Sequence, residues 1–217
     1  MSEKFEFSEH SQAQALEIKI EELKGRLRQV NPEILAEKTG SGISTTNQEL
    51  IFTLFYFNDE IHVQYPDFVI WSKNKGDQSN FIQLVILYYF FTADGAGKTD
   101  KYINFAQLPG GNIYSKAFQG YSGNEIAKNV ELNIQPLKKV CSHLNGKQSI
   151  DFDLSYVFSI FPKFDIKLVY WVGDDEFPSS CQLLFNETAL NYMPIDGCAI
   201  IGSQLTKRII KNLKKQE

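Results

Sequence analysis

Residues 49–65 read ELIFTLFYFNDEIHVQY, and this stretch decides the fold class. Aromatic and β-branched residues fill both halves, and Asn58-Asp59 between them supplies turn chemistry, so the pattern predicts an antiparallel hairpin. Downstream, Pro66-Asp67 marks a second turn into FVIW (68–71), and the polar loop SKNKGDQSN (72–80) leads to the apolar run FIQLVILYYFF (81–91). Length rather than periodicity makes that run a helix. It falls short of the roughly 20 residues that cross a bilayer, so it reads as a buried core element and predicts no membrane association.

Upstream, Ala13, Leu16, Ile20, Leu23, Leu27, Val30 and Ile34 recur at alternating steps of three and four, which places them on one stripe of a helix. The helix is expected over 11–30, opened by a capping box of Ser11 with Gln14, after a disordered tail at 1–10. Asn31-Pro32 interrupts it with a new cap followed by proline at the first helical position, and a short second helix runs to about Lys38, where Gly40 and Gly42 stop it. The stripe could seed a coiled coil or a protein-interaction surface. Too few heptads precede Pro32 for a stable coiled coil, which favours packing on the chain's own sheet.

Beyond residue 92 the chain becomes glycine-punctuated, in the phrases DGAGK, LPGGN and FQGYSG, with one short strand predicted at YINFAQL (102–108). Ser122 with Glu125 reads as a capping box opening a helix whose apolar positions Ile126, Val130, Ile134, Leu137 and Val140 continue to Asn145-Gly146, kinked or split by Pro136. IDFDLSYVFSIF (150–161), FDIKLVYWVG (164–173) and SSCQLLF (179–185) are strand-like, separated by Pro162-Lys163 and GDDEFP, and form a second antiparallel set. From Pro194 a terminal helix follows, with basic residues at its end where they favour the macrodipole. Helix, strands, helix, strands, helix predicts an α+β chain with a largely antiparallel sheet, taken as a single domain over 11–217.

A length of 217 residues with 43% hydrophobic content suits one good core, and a formal charge of −4 gives no electrostatic reason for a nucleic-acid partner. The N-terminal MSEKFEFSEHSQ lacks the basic start and apolar run of a secretory signal, so a cytoplasmic location is expected. Cys141, Cys181 and Cys198 are odd in number and form no Cys-x-x-Cys, which predicts buried, reduced thiols and neither a disulfide framework nor a metal site. Three scattered histidines (10, 62, 143) lie near no nucleophile motif.

Three features carry the candidate chemistry. Gly97-Lys98-Thr99 ends like a phosphate-binding loop, but Thr92 occupies the first glycine position, and a helix before with a strand after reverses the context that would aim the amides. It reads as a loop. Asp174, Asp175 and Glu176 in GDDEFP are the candidate acid-base residues; adjacent residues on an extended chain point apart, so the alternative is a solvated turn. LPGGNIYSKAFQGYSG (108–123) is long and aromatic, so Tyr114, Phe118, Gln119 and Tyr121 could line a ligand pocket, or the segment could be an Ω-like loop pinned by its own rings.

NPEILAEKTG, VQYPDF, the segment 87–123 and FPKFDIKLVYWVGDDEFPSSCQLLFNETALNYMPID together resemble the bacterial and archaeal family known as domain of unknown function 3786, from about Asn31 to the terminal helix. Family-like positions are Pro109, Gly110, Gly111, Phe118, Gln119 and Gly120 in one loop and Asp174, Glu176, Phe177 and Pro178 in the other. The domain is sometimes joined there to an iron-sulfur module like that of corrinoid iron-sulfur proteins, which implies a place in anaerobic corrinoid or one-carbon metabolism. This chain lacks that module's four cysteines, so an iron-sulfur or corrinoid partner would be a separate protein.

The expectation is a non-catalytic binding or accessory domain, holding a small molecule, a tetrapyrrole-like cofactor or a redox partner. An enzyme acting through residues 174–176, and an interaction module working through the N-terminal helix, are the alternatives.

Overall fold

The computed structural model describes residues 2–46 and 48–215, with side chains from residue 13 onward. The chain divides into two compact units, Met1–Gly95 and Ala96–Glu217. The antiparallel pairing expected of one sheet is thereby distributed over two five-stranded sheets, one per unit.

In the first unit, α1 (Ser2–Leu27) and α2 (Pro32–Thr39) precede β1 (Gly42–Thr46), β2 (Glu49–Tyr56), β3 (Asp59–Tyr65), β4 (Val69–Ser72) and β5 (Gly76–Asp77), and α3 (Asn80–Thr92) closes it. The helical bounds of α1 take in 2–10, the stretch read as a tail, and the capping box placed on Ser11 falls on a side chain outside the described set. The break after α1 is as the sequence predicts: Asn31 Oδ1 accepts from the amides of Glu33 (2.8 Å) and Ile34 (3.3 Å), Pro32 opens α2, and Gly40 ends it in the left-handed region.

The strands pair in chain order, β1 to β5. Tyr56 faces Asp59 across the β2–β3 hairpin, so the turn residues are Phe57 and Asn58, both at positive φ, one position earlier than the Asn58-Asp59 turn expected. Alternation along β2 and β3 buries Phe52, Leu54, Tyr56, Ile61 and Val63. Phe90 of α3 meets this face at Phe52 (5.1 Å between ring centroids) and Phe68 (6.1 Å), while α1 packs on α3, with Arg26 over the Phe91 ring. A helix covered on more than one side has no polar stripe, which is why its sequence shows no helical period. Ile20, Leu23 and Leu27 of the α1 stripe are buried and Ala13 is exposed. The strand β1 was not foreseen: GISTT is exposed along its length and pairs in register with β2.

In the second unit, β6 (Tyr102–Asn104) leads through two 3-10 turns to α4 (Ser115–Tyr121), α5 (Gly123–Val130) and α6 (Gln135–His143). There follow β7 (Lys147–Ser149), β8 (Leu154–Phe161), β9 (Phe164–Trp171), β10 (Ser180–Asn186) and α7 (Ile195–Leu213). The sheet order is β6-β10-β9-β8-β7, all antiparallel. Pro136 splits the central helix, as predicted, by starting α6. Two readings are corrected. The 108–123 segment is not an open loop but one 3-10 turn (Gly111–Ile113) and α4, and Ser122 does not cap α5, because its hydroxyl donates to the Phe118 carbonyl one turn back (2.5 Å).

One face of β9 and β10 buries Phe164, Ile166, Leu168, Tyr170, Cys181, Leu183 and Phe185, and Cys198, Ile201, Leu205 and Ile209 of α7 are buried at helical spacing. Two glycines set the approach of the helices. A Cβ on Gly123 would lie 2.1 Å from the Cys181 carbonyl oxygen, and one on Gly202 would lie 2.6 Å from the Phe118 ring. α5 can therefore start hard against β10, and α4 can seat its phenylalanine on α7.

Candidate functional site

The LPGG phrase fixes the site's frame by backbone geometry. Gly110 sits at φ 81°, and a Cβ on Gly111 would fall 1.9 Å from the Phe105 carbonyl oxygen, so the chain folds back in a way only glycine permits. That return stacks Phe105 on Phe118, with ring centroids 4.3 Å apart and planes 16° from parallel.

α4 then separates the four predicted ligand residues into two pairs. Phe118 is 2% exposed and packs against Phe185 as well as Phe105, so it belongs to the core. Gln119 Nε2 donates to Asn124 Oδ1 (2.9 Å) and to the Cys181 carbonyl (2.8 Å), using both amide hydrogens to clip α4 to α5 and β10. These two residues border a depression of about 280 Å3 with Asn104, Ser115, Lys116 and Gln182. Tyr114 and Tyr121 are 62% and 41% exposed. They line a separate hollow, also about 280 Å3, with Phe105, Ala117, Ile195, Asp196, Ala199 and Ile200. This second hollow is apolar except for the tyrosine hydroxyls and one carboxylate. Burial raises the Tyr121 phenol above its ordinary pKa, so it stays protonated at neutral pH.

The acidic loop is built as a turn. Asp174 Oδ1 accepts from the amides of Glu176 (2.9 Å) and Phe177 (2.8 Å), and the Asp174 amide donates to the Phe177 carbonyl (2.9 Å). The amides of Phe177 and Glu176 hold its carboxyl below the usual range. Asp174, Asp175 and Glu176 are all exposed, and none lines either hollow beside α4. Ser179 ties the end of the loop down, accepting from the Gly173 amide (2.8 Å) and donating to the Glu131 carbonyl (2.9 Å).

Burial pushes all three thiols up, far from the thiolate form. Among the described residues no group of three His, Cys, Asp or Glu could hold a metal ion, and no helix is long and apolar enough to cross a membrane. His62 stacks on Trp71 and lies 3.2 Å from Glu60 Oε1; the side chain of His10 is outside the described set.

The sequence reading missed a charged cluster on the other face of β9. Asp165 is only 6% exposed; its Oδ2 lies 2.9 Å from Lys98 Nζ, and its Oδ1 is buried without a hydrogen-bond partner. Next on that face, Lys167 pairs with Asp151 and sits over the rings of Tyr102 (5.6 Å) and Phe152 (5.8 Å). The GAGKT segment, with a helix before it and a strand after as expected, is strapped down here: Asn186 Nδ2 donates to the Thr99 carbonyl (2.6 Å), and the Tyr192 hydroxyl donates to the Ala96 carbonyl. Its lysine serves as the partner of a buried carboxylate. The signal was present in FDIKLVYW, where two charges occupy alternate positions of an otherwise apolar strand.

A family model described as domain of unknown function (DUF3786) matches residues 31–208. No curated protein and no solved structure matches the chain.

Proposed function

We propose that this chain, which belongs to the DUF3786 family, is a non-catalytic binding module whose ligand sits in the hollow between α4 and the start of α7. The observation that carries this reading is the pair Tyr114 and Tyr121, two exposed rings standing over an otherwise apolar concavity. Exposed aromatic rings around a concave apolar surface are what ligand sites offer, with large contact area and few polar groups to fix orientation. Three features support a binding role over chemistry. The thiols are sealed, the Asp174 carboxylate is engaged by its own loop, and the acid-base candidates face no hollow.

Size selects the ligand. Sites for drug-sized molecules run from about 300 to 1,000 Å3, and this hollow of about 280 Å3 lies at the lower edge. A single ring system fits. A tetrapyrrole-like cofactor would insert no more than one edge, so a compact ligand is the better occupant.

The test is ligand-observed NMR with a panel of single-ring compounds, neutral and charged. Binding should weaken about tenfold in Tyr114→Ala and in Tyr121→Ala, the loss expected for removing an aromatic contact. Gln119→Ala should instead lower stability with little effect on affinity. Absence of binding across the panel, or binding unchanged in both tyrosine variants, would refute the proposal.

A further inference from the structure

Charge at the hollow carries the reading further. Asp196 is the only charged residue among those lining it; no lysine or arginine contributes, whereas the depression on the other side of α4 has Lys116. One Asp196 oxygen accepts from the Gly197 amide (3.0 Å), and the carboxylate forms no ion pair among the described residues. It stands in the first turn of α7, where it complements the helix macrodipole. That contribution offsets part of its field without supplying a cation. Tyr114 and Tyr121 line the same hollow, and the faces of their rings carry the negative lobe of the aromatic quadrupole. A carboxylate and two neutral phenol rings around one apolar space all favour positive charge there, and none favours an anion.

We infer that the Tyr114/Tyr121 hollow selects a compact organic cation, a protonated or quaternary amine on a small apolar body. The inference rests on the binding role proposed above and names the ligand class for the same site. The apolar wall of Ala117, Ile195, Ala199 and Ile200 takes the hydrocarbon part, the rings take the ammonium face, and Asp196 supplies the counter-charge. A bare metal ion would find one carboxylate and no further ligand set, which is too little for either calcium or zinc.

Three probes of matched shape test it: 2-phenylethylammonium, 2-phenylethanol and 3-phenylpropionate, titrated by ligand-observed NMR at low ionic strength. The ammonium should bind about tenfold more tightly than the alcohol, with the carboxylate weakest, as a cation–π contact plus a partly exposed ion pair requires. Asp196→Asn, which keeps size and the turn acceptor, should reduce the ammonium's advantage over the alcohol to the roughly threefold that the cation–π contact alone supplies. If the alcohol or the carboxylate binds as well as the ammonium, and Tyr114→Ala weakens binding of the probes about tenfold, the ligand class is wrong and the binding site stands. If no probe binds, or the tyrosine variants bind like the parent, both fail together.

Discussion

Replacing Lys98 by methionine removes the ammonium that faces Asp165 while keeping the length and apolar stem of the side chain. Asp165 is 6% exposed and already has one oxygen without a partner, so the variant leaves a buried carboxylate with neither oxygen engaged. Breaking a fully buried pair from one side costs about 3–5 kcal/mol. The Lys98 side chain is 34% exposed, so solvent screens part of the interaction, and the expected loss is about 2 kcal/mol. Urea denaturation followed by circular dichroism reads it as a lower midpoint with an unchanged slope. Combining Lys98→Met with Asp165→Asn removes the buried charge and should recover at least about half of the loss, which makes the two changes non-additive. A Lys98→Met variant within about 0.5 kcal/mol of the parent would show that Asp165 is not buried as a charge.

Further outcomes follow from the same structure. Cys141, Cys181 and Cys198 should be inert to a thiol reagent in the native state and react together on denaturation, because burial removes both access and thiolate; fast labelling of any one in native buffer would contradict their placement. Gly202→Ala places a methyl group 2.6 Å from the Phe118 ring, which is held in the core, and should cost about 1–3 kcal/mol while weakening ligand binding at α4; a neutral result would mean that helix and ring are not in contact. The carboxyl of Asp174, its pKa lowered by the Phe177 and Glu176 amides, adds order to its loop above the ordinary carboxylate pKa. That order should be lost as the pH falls through the lowered value, visible as a shift of the Phe177 amide resonance, and Asp174→Ala should abolish the transition.

Much of the fold was legible because it rests on local rules. The β2–β3 hairpin, the Asn31-Pro32 cap, the splitting at Pro136 and the amphipathic terminal helix each follow from residue types within a turn or two. β1 was hidden because GISTT has no buried face to impose alternation, only a partner strand to pair with. α4 was hidden because the glycines of its segment signal a loop and its aromatic residues do not favour helix, and Phe118 is held by Phe105, Phe185 and the gap at Gly202, all distant or outside the segment. The site divided along the same line. Aromatic content pointed to the correct segment, but helical geometry sends Phe118 and Gln119 inward and leaves Tyr114 and Tyr121 outward, a separation invisible until the segment is known to be a helix. The partner of Lys98 lies 67 positions away (165 − 98), beyond any local rule.

The central claim places a ligand against Tyr114 and Tyr121, and intermolecular NOEs test it most directly. With 2-phenylethylammonium at saturation, contacts are predicted from its ring protons to the rings of Tyr114 and Tyr121 and to the methyl groups of Ala199 and Ile200. NOEs confined to other surfaces, or none at saturating ligand, would contradict the account.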